Sequence, residues 1–202
     1  MEFRTQETAR SLMLLLAALA PALVAAGGKP TPVIGGDGIR AGEQTWAWED
    51  IQRLTLAPGK IRITTYQDNK WKLGRDRAYT FKGDFIAAYP TLAARLDRRL
   101  VAEFADLTVR PLWQLPVKRR GTIAGTEGAL IFGEDRIVYK TNLKGSSRTW
   151  RYADIDNIAT SGPYDLTLIT FEPKAYNFQL KAPLDEGKYN ELWRKLNLRR
   201  DQ

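Results

Sequence analysis

The sequence predicts an α+β protein, mainly antiparallel β, in which two similar units follow one another. Three observations carry that expectation. The stretch Thr45-Trp46-Ala47-Trp48-Glu49-Asp50-Ile51 returns as Thr149-Trp150-Arg151-Tyr152-Ala153-Asp154-Ile155, so both copies read Thr-Trp-x-aromatic-x-Asp-Ile. Around each copy, short alternations of apolar and polar residues are separated by Gly, Pro, Asp and Asn turns, which is the pattern of strands joined as hairpins. Near the end of each copy the apolar period lengthens to that of a helix, through Leu92, Leu96, Leu100 and Phe104 in the first and Tyr189, Leu192, Trp193 and Leu196 in the second.

Residues 1–26 read as an export signal. Arg4 and Arg10 precede an apolar run from Leu12 to Ala26, and Val24-Ala25-Ala26 places small residues before Gly27, where a signal peptidase would cut. The run is short against the roughly 20 apolar residues that span a bilayer, so a cleaved signal is expected ahead of a retained anchor. Either way the remainder is expected outside the cytoplasm, in the periplasm or cell envelope, and membrane-anchored if the segment is kept. Residues 27–37, with Pro30, Pro32, Gly35 and Gly36, read as a linker running into a tight turn.

The first unit is predicted over 38–105. Strands are expected at 38–41, 44–48, 51–57, 60–66, 70–73 and 77–81; in Lys60-Ile61-Arg62-Ile63-Thr64 strict alternation puts Ile61 and Ile63 on one buried face. A helix follows from Pro90, a residue suited to the first helical turn because no amide hydrogen is needed there. Residues 106–121 read as a second linker, extended between Pro111 and Pro116 and lying in a groove between the units. The second unit, 122–202, carries strand signals at 128–132, 136–142, 148–152, 155–160, 164–172 and 176–181. It closes with a helix whose N-cap is Asp185 and whose apolar stripe, Trp193 included, faces the strands.

The correspondence extends beyond the Thr-Trp segment. The run 60–66 answers to 165–171, and Ala78-Tyr79-Thr80-Phe81 answers to Ala175-Tyr176-Asn177-Phe178. A curled antiparallel sheet with a helix plugging its open end buries one sheet face economically. The second unit's Leu130-Ile131-Phe132-Gly133, Arg136-Ile137-Val138-Tyr139, Trp150-Arg151-Tyr152-x-Asp154-Ile155, Leu166–Phe171, Phe178-Gln179-Leu180 and its terminal helix resemble PH-like domains, in particular the bacterial ones that occur in tandem copies. The resemblance implies two PH-like partly open barrels, each closed by a C-terminal helix. It also implies that Trp46, Trp48, Ile51, Trp150, Tyr152, Ile155, Phe171, Phe178 and Trp193 fill cores, and that the Trp-bearing segment is a core strand rather than a repeated binding site. Asp50 and Asp154 are expected to cap backbone at turns.

Composition limits the chemistry. The chain contains no His and no Cys, which removes Ser-His-Asp and Cys-His nucleophile systems, His-ligated zinc and disulfides together. No phosphate-binding glycine loop, nucleophile elbow or dinucleotide fingerprint is present, so the chain is expected to be non-catalytic, with no cofactor and no metal. The net charge of +8 favours anionic surfaces without choosing among them. PH-like domains that bind anionic lipids use basic residues flanking their first hairpin, and the nearest positions here are Lys140, Lys144, Arg148 and Arg151, with Lys118, Arg119 and Arg120 as a further basic run. The expected function is therefore an exported binding or scaffold module whose partner is a protein. An anionic membrane surface or glycan held by that basic face is the alternative, and nucleic acid is not expected, since the aromatics lie in apolar alternation rather than on a stacking face.

Overall fold

The computed structural model describes residues 30–121, 124–172 and 174–197, Leu73 by its backbone alone. The export signal expected over 1–26 lies outside the described residues. Fourteen strands and two α-helices are described: β1 (Val33–Ile34), β2 (Gly38–Ala41), β3 (Gln44–Ala47), β4 (Ile51–Ala57), β5 (Lys60–Asn69), β6 (Lys72–Lys82), α1 (Tyr89–Arg95), β7 (Leu100–Ala102), β8 (Trp113–Arg119), β9 (Thr126–Phe132), β10 (Arg136–Lys140), β11 (Arg148–Arg151), β12 (Ile155–Ala159), β13 (Asp165–Thr170), β14 (Lys174–Leu180) and α2 (Glu186–Asn197). The class is α+β and mainly antiparallel β, as the alternation predicts. Among the described residues no helix is long and apolar enough to cross a membrane.

Strands β1, β2 and β3 form a small antiparallel sheet, and the other eleven form one sheet in the order β12-β13-β14-β8-β9-β10-β11-β7-β4-β5-β6. The large sheet does not close on itself. Side chains from β8 to β14 and α2 nevertheless meet in a single apolar cluster, including Leu130, Phe132, Ile137, Tyr139, Trp150, Leu166, Phe178 and Leu192. One cluster touched by seven strands requires those strands to roll around it, although β11 and β12 do not pair with each other among the described residues. A second cluster gathers Ile39, Trp46, Leu54, Leu56, Ile61, Ile63, Phe81, Leu92, Leu96 and Leu100, so the small sheet faces β4, β5 and β6 with α1 against them.

The repeated motif is a corner, and the two corners share their geometry. Trp46 is next to last in β3 and Trp150 next to last in β11; each strand is followed by a three-residue 3-10 turn, Trp48–Asp50 or Tyr152–Asp154, before the next strand begins at Ile51 or Ile155. Asp50 Oδ2 accepts the Ala47 amide at 3.2 Å, and Asp154 Oδ2 accepts the Arg151 amide at 3.0 Å. These two carboxylates satisfy donors that a sharp turn would otherwise leave without a partner. In both copies the register slips just past the corner, between Ile51 and Arg53 and between Ile155 and Asn157. Each tryptophan then packs on the same pair of rings, Trp46 at 4.7 Å from Tyr79 and 5.8 Å from Phe81, Trp150 at 4.7 Å from Tyr176 and 6.3 Å from Phe178. The segment expected as one core strand is thus strand, turn and strand, because the chain has to pass from one sheet face to the other.

Two further expectations are corrected. The stripe Leu92, Leu96, Leu100 and Phe104 is buried throughout, yet α1 ends at Arg95 and Arg98 turns the chain through a left-handed backbone (φ 53°). Leu100 then lies in β7, parallel to β4 with Leu54 opposite Leu100, since the open edge of β4 offers backbone partners that more helix could not supply. The supposed linker holds β8, paired over its whole length with β9 and at its end with β14. Pro116 stands just beyond the last β14 rung at Val117, where a missing amide hydrogen is tolerated. Trp113 of the same strand stacks on Phe132 at 3.6 Å.

Of the expected core residues, Trp46, Ile51, Trp150, Tyr152, Ile155 and Phe178 are buried. Trp48 and Phe171 are half-buried, the Trp48 indole donating to the Gly36 carbonyl at 2.7 Å. Trp193 is 47% exposed, because Tyr189, Leu192 and Leu196 already fill the stripe of α2 that meets the core. The helix does begin as expected, with Asp185 Oδ1 accepting the Lys188 amide at 3.1 Å. Trp46→Ala and Trp150→Ala should each destabilise the protein by about 3–5 kcal/mol, the range for deleting a large buried ring. Urea denaturation checks this, and a cost under about 1 kcal/mol at either position would show that its corner is not a core anchor.

Candidate binding surfaces

Two of the expected anion-binding residues are structural. Arg148 is 8% exposed. Its guanidinium donates to the carbonyls of Gly145 and Ser147 at 3.0 and 2.8 Å and pairs with Glu103 at 3.0 Å. Arg151 donates to the carbonyls of Ala93 and Leu96 at the end of α1, and to Asp154 at 2.5 Å. Burial alone would lower the Arg151 pKa, but the hydrogen bond and charge of Asp154 outweigh it, so the pKa rises and the group stays cationic. Both guanidinium groups are therefore bonded inside the protein, although the buried Arg148 Nε has no hydrogen-bond partner among the described residues. Strand β11 places Arg148 and Trp150 on one face and Thr149 and Arg151 on the other.

The other basic candidates lie elsewhere. Lys140, Lys144 and Arg120 are exposed, whereas Lys118 and Arg119 are half-buried. Arg119 donates to the Ser146 carbonyl at 3.1 Å and lies 5.5 Å from the Tyr139 ring, so it too has a structural partner. The seven residues are not gathered into one cationic face.

A network that sequence reasoning missed fills the seam. Thr149, the threonine of the second Thr-Trp copy, accepts the Asp106 amide at 2.9 Å and donates to the Phe104 carbonyl at 2.8 Å. Asp106, 7% exposed, receives the Thr108 amide and hydroxyl on one oxygen and Arg136 on the other. Arg136 also forms a two-pronged pair with Asp135 at 2.8 and 2.7 Å. That bond raises its pKa against the opposing cost of burial. On the other flank Arg99 donates to the carbonyls of Trp48 and Ile51, both at 2.8 Å, and Arg98 lies 4.3 Å over the Phe171 ring. The only sequence signal for this network is the placement of arginines next to apolar strand residues.

Two grooves open on either side of Phe104–Thr108. One, of about 500 Å3, is lined by Tyr89, Pro90, Ala93, Asp106, Arg136 and Arg151. The other, of about 510 Å3, runs between Pro58, Ile86 and Leu107 on one wall and Leu143, Lys144 and Ser147 on the other. Leu107 and Leu143 are 65% and 58% exposed, so the second groove has an apolar rim. Its loop wall is built in advance, since Thr141 receives a hydroxyl-bonded amide contact from Leu143 and exchanges backbone bonds with the Ser147 hydroxyl. Among the described residues no group of three or more Asp and Glu is placed to hold a metal ion.

No family model and no curated protein matches the chain. Among solved structures, the crystal structure of the C-terminal domain of an unknown protein from Leishmania infantum aligns with 56% of this chain and 94% of its own, at 13% identity and a TM-score of 0.37. At that score the likeness specifies neither fold nor function.

Tyr89, at the floor of the first groove, gives the seam a titration. Burial pushes its phenol from the ordinary 10.0 up to about 12, with Arg136 and Arg151 pulling the other way. Between those values the unfolded chain releases a proton that the folded protein keeps, so the Tyr89 contribution is whole below pH 10 and is lost as pH rises to about 12. Tyr89→Phe should therefore make the fall of stability across this window shallower by up to one proton's worth of slope. Urea midpoints measured against pH check this, and an unchanged slope would contradict the burial of the phenol.

Proposed function

We propose that the chain is an exported, non-catalytic binding or scaffold protein of the cell envelope, built from two PH-like units and taking another protein as its partner. The PH-like reading is supported in the second half by the sequence of four strands, a corner, three strands and a terminal helix about one core. The first half repeats three strands, a corner, three strands and a helix, and among the described residues no strand there answers to β8. Export is supported by Arg4, Arg10 and the apolar run to Ala26.

The observation that carries the binding reading is how the charged groups of the seam are used. Arg99, Arg136, Arg148 and Arg151 are committed to carboxylates, backbone carbonyls or both. What remains as a shaped surface is the preformed apolar groove beside Leu107 and Leu143, together with β6, which among the described residues pairs only with β5. An extended segment with apolar side chains would fit both features, through side-chain pockets in the first and backbone hydrogen bonds in the second. The basic-face alternative keeps Lys140, Lys144 and Arg120 but loses Arg148 and Arg151 to the seam.

Leu107→Asp and Leu143→Asp test the groove. Both side chains are exposed, so stability should change by less than about 0.5 kcal/mol. Crosslinking and capture from the envelope fraction should recover the same protein with the native chain from repeat to repeat, and lose it with either variant. Equal recovery with the variants, or no protein recovered with the native chain, would remove the reading.

A further inference from the structure

The longest hairpin outruns the sheet that carries it. β4 accompanies β5 only up to Ile51 opposite Thr65, whereas β5 and β6 continue pairing to Asn69 opposite Lys72. Residues 66–77 are thus a ribbon of two strands with no third strand beside them, a form that is marginal in water without further contacts. Its end carries an indole: Trp71 is 92% exposed, and Tyr66 on the same ribbon is 62% exposed.

The tip is nonetheless an ordered turn. Asn69 Oδ1 accepts the Trp71 amide at 3.0 Å, and Gly74, at φ 76°, absorbs the extra residues where the register slips between Asp68 and Asn69. Lys70 and Lys72 flank Trp71 in the sequence and Arg75 follows Gly74; all three are exposed, with no ion pair among the described residues. Arg77, one step further back, donates to Gln67 at 3.5 Å. Asp68 and Asp76 are cross-strand partners behind the tip, where like charges oppose each other and favour staying in water.

We propose that this hairpin tip docks on an anionic bilayer surface, with the Trp71 ring at the boundary between headgroups and acyl chains and Lys70, Lys72 and Arg75 against lipid phosphates. The chemistry is complementary in both parts. An indole has an apolar body and a polar N–H and is at its most favourable in the interfacial layer. Each Lys or Arg held beside an anionic leaflet adds attraction that salt screens. A protein partner is disfavoured by size, since a stable interface takes roughly 800 Å2 from each side and the tip offers one ring on a polar ribbon. The carboxylates of Asp68 and Asp76 limit the depth to the headgroup layer. The inference uses none of the groove residues and stands apart from the proposed protein partner.

The test reads Trp71 itself. The full chain is added to vesicles of phosphatidylcholine with about 30% phosphatidylglycerol, the acyl chains brominated to quench nearby indoles. The N-terminal apolar segment is common to all variants and cancels in the comparison. Bromine quenching should be present in the native chain and drop by the Trp71 share in Trp71→Phe. It should be equally lost in the triple variant Lys70→Glu, Lys72→Glu and Arg75→Glu, which retains the indole, and in the native chain when salt rises from about 50 to about 500 mM. Trp193→Phe, at the other exposed indole, should leave the difference in place. Equal quenching in the native chain and Trp71→Phe, or quenching in the charge-reversed variant as strong as in the native chain, would overturn the proposal. Because every substituted side chain is exposed, an unchanged urea midpoint confirms that the variants are folded.

Discussion

The structure depends on β7. Three residues, Leu100 to Ala102, lie parallel to β4 on one side and meet β11 at Thr149 on the other, and through them two rolled sheets become one. So short a strand cannot hold two bodies by its ladder alone. Hydrogen bonds just beyond its ends extend it, with Leu54 donating to the Arg99 carbonyl at 2.9 Å and Glu103 to the Leu56 carbonyl at 2.8 Å. Arginines then satisfy the remaining carbonyls, Arg99 at the first corner and Arg151 at the end of α1. Carbonyls buried between two cores without such donors would each forfeit the hydrogen bond they make with water in the unfolded chain.

The two corners share their geometry, and the seam is where their neighbouring side chains differ. Trp46 and Trp150 occupy the same environment, as do Asp50 and Asp154, because a chain turning from one sheet face to the other needs a ring to bury and an acceptor for its exposed amides. The neighbouring positions have parted company. Thr45 is exposed whereas Thr149 is buried and bonded to the chain on both sides of Ala105; Ala47 carries nothing, whereas the equivalent Arg151 reaches across to α1. Thr149 and Arg151 donate to the carbonyls of Phe104, Ala93 and Leu96, whereas the carbonyls of the first corner, at Trp48 and Ile51, take Arg99.

Much of the fold was legible because alternation reports burial directly. Ile61 and Ile63 are fully buried, as their period requires, and Asp185 caps α2 as its position before the apolar stripe suggests. The failures have a common physical cause. Leu100 and Phe104 continue a helical period, but β4 had an unpaired edge, and a long-range backbone partner outcompeted local propensity. Trp113 to Arg119 lay between prolines and looked extended, which is true of a linker and of a strand alike; only pairing with β9 and β14 distinguishes them. Arg148 and Arg151 read as surface cations because sequence does not show that Glu103 and the carbonyls at the end of α1 lie within their reach. Trp71 was invisible for the converse reason, since nothing in its neighbours reveals that the hairpin runs past its sheet.

These surfaces divide the molecule into an interior that is committed and a periphery that is not. The seam arginines hold the halves together, whereas the groove at Leu107, the outer edge of β6 and the hairpin tip face solvent. The claim beneath all of it is that β7 is an interior strand of one sheet. Native-state hydrogen exchange of the Leu100 to Ala102 segment tests it most directly. Protection matching that of β4 and β11, with exchange only through global unfolding, is what the seam predicts; exchange as fast as at the 66–77 ribbon would show that the two halves are joined by little more than the chain between them.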